Sequence, residues 1–142
     1  MYSQTEIDKV VAKYVGIPYR HDGRDRGGLD CLGVIYCVLS DFSIEIPDGD
    51  GREICQEWYQ QEPGRFLKGL VEVGEEAKLP LQPLDIVYFE MIDNVVTHGG
   101  VMVDESRFIH ILEGRTVSIT RLKGFWASKL AGARRLIKWL EQ

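Results

Sequence analysis

The chain is short of the residues from which many functional sites are built. Its 142 residues include only three histidines and three cysteines, Cys31, Cys37 and Cys55. An odd number of cysteines with no CxxC pair excludes a disulfide scaffold and a zinc-finger site. No apolar run approaches the roughly 20 residues that span a bilayer. Lys and Arg number 17 against 22 Asp and Glu, a formal net charge of −5. The basic surplus that phosphate neutralisation requires is missing, which argues against nucleic acid as the main partner. There is no internal repeat and no low-complexity segment. The N-terminus has no basic start followed by an apolar stretch, so the expectation is cytoplasmic synthesis without a signal peptide.

What is present fits one domain, residues 1–142, of ordinary globular composition: 44% hydrophobic and 27% charged. Such a chain can bury a core without metal or disulfide, and no cofactor is expected. Ser3-x-x-Glu6 reads as a capping box, with Ile7, Val10, Val11 and Tyr14 following at helical spacing until Gly16 and Pro18. A Gly- and Arg-rich loop leads to Asp30, the expected N-cap of a helix from Cys31 to Leu39 that is apolar nearly all round and therefore central. A third helix is expected after Asp50, with Glu53 near its start and Ile54 and Trp58 along it. From Pro83 the texture turns to strands: Asp85–Met91, His98–Val103, Arg107–Leu112, Arg115–Thr120 and Ala131–Lys138, with Glu113-Gly114 as a hairpin connection. Helices first and strands after is the α+β pattern, here with an antiparallel sheet of five to six strands.

Cys31 is the informative cysteine. A thiol at a helix N-terminus meets unpaired N–H groups and the positive end of the dipole, a setting that favours thiolate. The competing reading is a structural cysteine in an apolar helix, which is how Cys37 and Cys55 are read. A cysteine nucleophile needs a base. His98 begins one strand and His110 lies within the next, twelve residues on, a spacing that suits adjacent antiparallel strands. His98 against Cys31, with His110 behind it fixing the tautomer, satisfies both rings. Taken alone, His110 reads equally as a hydrogen-bonded core histidine, and its face, shared with Phe108 and Leu112, is expected against the central helix. His21 reads as solvated. Cys31, His98 and His110 also suit zinc, but a closed site wants a fourth ligand, so no metal is assigned. Arg20, Arg24 and Arg26 either hold substrate carboxylates or form a solvated loop with Asp22 and Asp25.

Five segments, in order, carry a family resemblance. Val15 to Arg20 with Gly28-Leu29-Asp30-Cys31-Leu32-Gly33-Val34 resembles the nucleophile segment of the NlpC-type cell-wall peptidases. Leu81 to Phe89, His98-Gly99-Gly100-Val101, Phe108-Ile109-His110, and Phe125-Trp126 through Gly132-Ala133-Arg134-Arg135 are similar to their remaining segments. Residues Asp41 to Leu79 match least. The resemblance implies a papain-like cysteine peptidase with a Cys-His-His triad that cleaves peptidoglycan stem peptides, typically between D-glutamate and the diamino acid after it. It implies that Cys31 attacks, His98 moves the proton, His110 orients His98, and Tyr19, twelve residues before the cysteine, helps bind the oxyanion. The other reading of Tyr19 is a loop aromatic packed on the helix. Asp30 matches the residue before the nucleophile and is either a helix cap, a receiver of a substrate ammonium group, or both; Arg20 is the guanidinium expected at the substrate. Two positions depart from the pattern: Leu32 replaces the usual Ser and Leu84 a usual Gly. Members of this bare kind occur in phage tails and prophage regions, which implies phage tail partners and carriage on the virion. The alternatives are an amidase or acyltransferase acting on a lipid or protein amide, and a tail assembly protein with little activity.

Overall fold

The computed structural model describes residues 2–48 and 56–137. Helix α1, Gln4–Ala12, begins at the expected capping box: Ser3 Oγ accepts from Glu6 N–H at 3.1 Å, and the Glu6 carboxylate accepts from Ser3 N–H at 3.2 Å. A two-strand ribbon follows, β1 Arg24–Asp25 and β2 Gly28–Leu29. Helix α2, Cys31–Ser40, comes next, capped by Asp30, whose Oδ1 accepts from Gly33 N–H at 2.8 Å. Gly33 is glycine for a steric reason: a Cβ there would collide with the Gly23 carbonyl, so the loop before the cysteine lies directly on the helix. The helix expected after Asp50 falls mostly on residues 49–55, outside the described residues together with Cys55; α3, Trp58–Gln61, and α4, Arg65–Val71, come after it.

The sheet is built from β3 Glu75–Glu76, β4 Ile86–Ile92, β5 Val95–Met102, β6 Arg107–His110, β7 Ser118–Arg121 and, after the short α5 Phe125–Lys129, β8 Leu130–Arg135. Its order is β3-β8-β4-β5-β6-β7 with every neighbour antiparallel. This is the expected α+β arrangement, with a sixth strand, β3, drawn from the segment read as irregular. One face, through Ile86, Val101, Ile109 and Ile111, packs on Val34, Ile35 and Val38 of α2. The other, through Val87, Phe89, Met102 and Phe108, is covered by Trp126 of α5. Leu84 shows why glycine is usual at its place: its φ is 70°, a left-handed backbone, yet its side chain is buried.

Two expectations fail locally. The hairpin between β6 and β7 is longer than Glu113-Gly114 implies, because 115–117 pairs elsewhere. Val117 N–H donates to Ile17 C=O at 2.8 Å, Gly16 N–H to Val117 C=O at 2.9 Å and Tyr19 N–H to Arg115 C=O at 3.1 Å. That pairing fixes the loop carrying Tyr19. His110 does not face α2: alternation along β6 gives that face to Ile109, and His110 joins Phe108 on the opposite one.

Candidate active site

Cys31 opens α2 against a gap in the sheet. The β5–β6 ladder contains only Val101↔Ile109 and Met102↔Phe108, so the β5 edge from Thr97 to Gly99 is left without a strand partner there. Cys31 Sγ fills that edge, its thiol directed at the Thr97 carbonyl at 4.0 Å. A helix on one face of the sheet thereby reaches a histidine whose ring stands on the other. Cys31, His98 and Tyr19 line one cleft of about 1120 Å³, which runs on past Leu32, Trp58 and Phe66.

His98 Nε2 lies 2.8 Å from His110 Nδ1, and His110 Nε2 lies 2.9 Å from Thr120 Oγ1. Both rings are nearly buried, at 4% and 3% exposure. Trp126 closes over them, with ring centroids 5.4 Å from His98 and 4.8 Å from His110. Among the described residues nothing hydrogen-bonds to His98 Nδ1, which is left for the cleft. No hydrogen bond joins the thiol to the imidazole in this arrangement.

The electrostatics correct the expected resting thiolate. Burial first, then the Asp30 charge, pushes the Cys31 thiol up to about 12, outweighing the Gly99 and Leu32 N–H groups and Arg24. Burial, then the neighbouring ring, lowers His98 to about 3, and burial lowers His110 to about 4. Thiol and imidazole are both neutral at rest, so the helix terminus does not by itself outweigh the loss of water. Tyr19 is raised to about 12 by burial, then by the Asp30 charge. Its phenol therefore keeps its proton and stays a donor through neutral pH.

The two residues expected at the substrate are placed differently. Asp30 lines the cleft, but its oxygens are engaged: Oδ1 by Gly33 N–H and Arg24 Nη1 at 2.8 Å each, Oδ2 by Asp22 N–H at 2.9 Å. Arg24 also donates to Asp48 and to the Gly23 carbonyl, so it braces the loop. Arg20 is exposed, lies over Gly28 and is absent from the cleft wall, where His21 stands instead. Alternating register explains this, since the neighbouring positions Tyr19 and His21 both point inward. Cys37 is half-buried with Sγ 3.5 Å from the Arg24 carbonyl, away from the cleft. Among the described residues no cluster of three or more His, Cys, Asp or Glu suits a metal ion. Sequence reasoning missed Thr120 and the covering role of Trp126. Only the Phe108↔Thr120 register brings the hydroxyl beside His110.

The NlpC/P60 family model matches residues 16–135, a span that holds every one of these groups. The chain belongs to the NlpC/P60 family. The probable endopeptidase NlpC homolog of Haemophilus influenzae is 27% identical over 133 residues, covering 92% of this chain and 62% of that protein. The chain thus spans about three fifths of that relative's length. Among solved structures, an NlpC/P60 family protein from Bacillus cereus superposes with a TM-score of 0.73 at 21% identity, over 96% of this chain and 41% of that one. The NlpC/p60 domain of the peptidoglycan hydrolase SagA gives 0.64 at 19% identity, over 94% and 99%. At these identities the two structures establish the shared fold.

Proposed function

We propose that this NlpC/P60 domain is a cysteine peptidase that cleaves amide bonds in peptidoglycan stem peptides, between D-glutamate and the following diamino acid. The observation that carries the reading is the pair of groups at the cleft: a cysteine heading the central helix, and an imidazole whose far nitrogen is committed to His110 while its near nitrogen is free. The similarity to a probable endopeptidase and to the domain of a peptidoglycan hydrolase supports the substrate class.

In this mechanism the substrate carbonyl enters beside Cys31. The thiol turns toward His98, and its proton passes to Nδ1 as sulfur attacks, so charge appears only with substrate in place. The Cys31 N–H and the Tyr19 phenol donate to the developing oxyanion, each worth about 2.7–4 kcal/mol in comparable sites. His98 returns the proton to the leaving amine, and water then hydrolyses the thioester. His110 holds the His98 ring throughout. Asp30 acts through the helix cap and the Arg24 brace. Delivery by a phage tail belongs to this proposal on the sequence resemblance and is tested by searching purified virions for the chain.

The test is digestion of purified muropeptides followed by mass spectrometry, with Cys31→Ala as control. The expected result is cleavage at the D-glutamyl bond by the wild type alone; equal product from both proteins removes the enzyme reading. A second reading, an amidase or acyltransferase on a more apolar amide, is favoured by Leu32, Trp58, Phe66 and Met91 in the cleft wall. Cleavage of N-acyl amides in preference to muropeptides would select it.

A further inference from the structure

The histidine pair ends on a hydroxyl that the mechanism above leaves unused. Thr120, on β7 opposite Phe108, places Oγ1 2.9 Å from His110 Nε2. We propose that Thr120 is a positioning residue for hydrolysis: its oxygen accepts from His110 Nε2–H, which keeps a lone pair on His98 Nδ1 facing the cleft. This rests on His98 acting as the base for Cys31.

Each neutral imidazole carries one N–H, and a threonine hydroxyl both donates and accepts. Two registers fit the observed contacts. In the first, His98 Nε2–H donates to His110 Nδ1 and His110 Nε2–H donates to Thr120 Oγ1, leaving His98 Nδ1 bare. In the second, the Thr120 hydroxyl donates to His110 Nε2 and His110 Nδ1–H donates to His98 Nε2. His98 Nδ1 then carries a hydrogen, and the ring cannot take one from the thiol. Once His98 has taken the thiol proton, both of its nitrogens donate. Only the first register accommodates that, and it requires an acceptor at the far end of the pair.

Thr120 is that acceptor, and its surroundings leave it free to serve. Thr120 and His110 line a second hollow of about 340 Å³, on the far side of the pair from the cleft, with Ser118 and Arg115. The hydroxyl hydrogen can turn toward solvent there while the oxygen receives Nε2–H. The aromatic rings packed on His110, those of Phe108 and Trp126 with centroids at 4.4 and 4.8 Å, offer no oxygen acceptor, and among the described residues Thr120 is the hydroxyl in hydrogen-bond contact with its Nε2. A neutral acceptor also leaves the pair uncharged at rest, in keeping with its burial.

The test uses the full chain labelled with 15N-histidine, in wild type, Thr120→Val and Thr120→Ser. The tautomer of each ring is read by NMR near neutral pH, and hydrolysis of muropeptides is measured alongside. The expected wild-type and Ser spectra show Nε2–H on both rings. In the Val variant His110 and His98 move toward Nδ1–H, and kcat falls about tenfold with KM unchanged, a part of what base catalysis supplies. Serine restores the wild-type kcat. Thr120→Ala carries the same test if the Val variant does not fold. Unchanged tautomers in the Val variant, or a loss of Tm with kcat intact, would overturn the proposal. If the wild type cleaves no muropeptide while the tautomers respond as stated, the substrate reading fails and the Thr120 assignment stands.

Discussion

Two buried polar pairs occupy the same sheet and are built on opposite terms. Before β4, Asp85 is 1% exposed and receives Arg135 Nε at 2.9 Å and Nη2 at 2.8 Å, with Gln82 N–H at 2.8 Å completing its shell. That hydrogen bond to Asp85 holds the Arg135 guanidinium above its ordinary range. On β5 and β6, His98 and His110 are equally buried but uncharged, walled by Phe89, Phe108 and Trp126. The first pair ties the start of β4 to the end of β8, and both carboxylate oxygens are used. The second keeps one nitrogen uncommitted at a cleft. Satisfied burial is a structural device; burial with one unspent atom aimed at a cavity is the mark of a reactive site.

Removing a member of each pair sharpens the contrast most. His98→Gln is expected to lower hydrolysis by about 10³-fold or more, because it removes the base, with Tm nearly unchanged. Comparable activity in that variant would break the distinction. Asp85→Ala is expected to cost about 3 kcal/mol in urea unfolding, since it strands Arg135 at a half-buried site, while the folded fraction keeps its kcat. A stability loss under about 1 kcal/mol would place Arg135 in solvent and the pair among surface ion pairs.

Acid separates the pairs next. The unfolded rings titrate near 6.5, and the folded ones lower, at about 3 and 4. Between those values the unfolded chain binds more protons, so the contribution of neutral burial is complete above pH 6.5 and is lost as pH falls. At about pH 5 the His98 share of that loss is about 2 kcal/mol. Denaturant midpoints for wild type and His98→Gln, close together at neutral pH, should separate on acidification as the wild type loses more; parallel curves would show that the ring is solvated. The smallest effect is on the thiol. With its proton held by burial, Cys31 alkylation by iodoacetamide should rise about tenfold per pH unit through the alkaline range. A plateau near neutral pH would mean a stable thiolate at rest.

Much of the architecture was legible in the chain. Ser3-x-x-Glu6 and Asp30 announce two helix starts because capping is chemistry between near neighbours, and Cys31, His98 and His110 stand out because such residues are few. The sixth strand and the β6–β7 connection were not, because their partners are remote. Glu75–Glu76 becomes a strand only beside Arg134 and Arg135, and 115–117 leaves its hairpin for the Ile17–Tyr19 loop. Arg20 and His21 exchange expected places for a similar reason: which of two adjacent loop residues points inward depends on what the loop leans on.

By itself the sequence determined the helix caps, the α+β order and the identity of the reactive residue types, all set by spacing within a few residues. Tertiary structure alone decided that the sheet opens between β5 and β6 to admit the sulfur, that Thr120 closes the histidine pair, and that thiol and imidazole rest uncharged. Those outcomes depend on exclusion of water and on register between distant strands, and no local pattern encodes either.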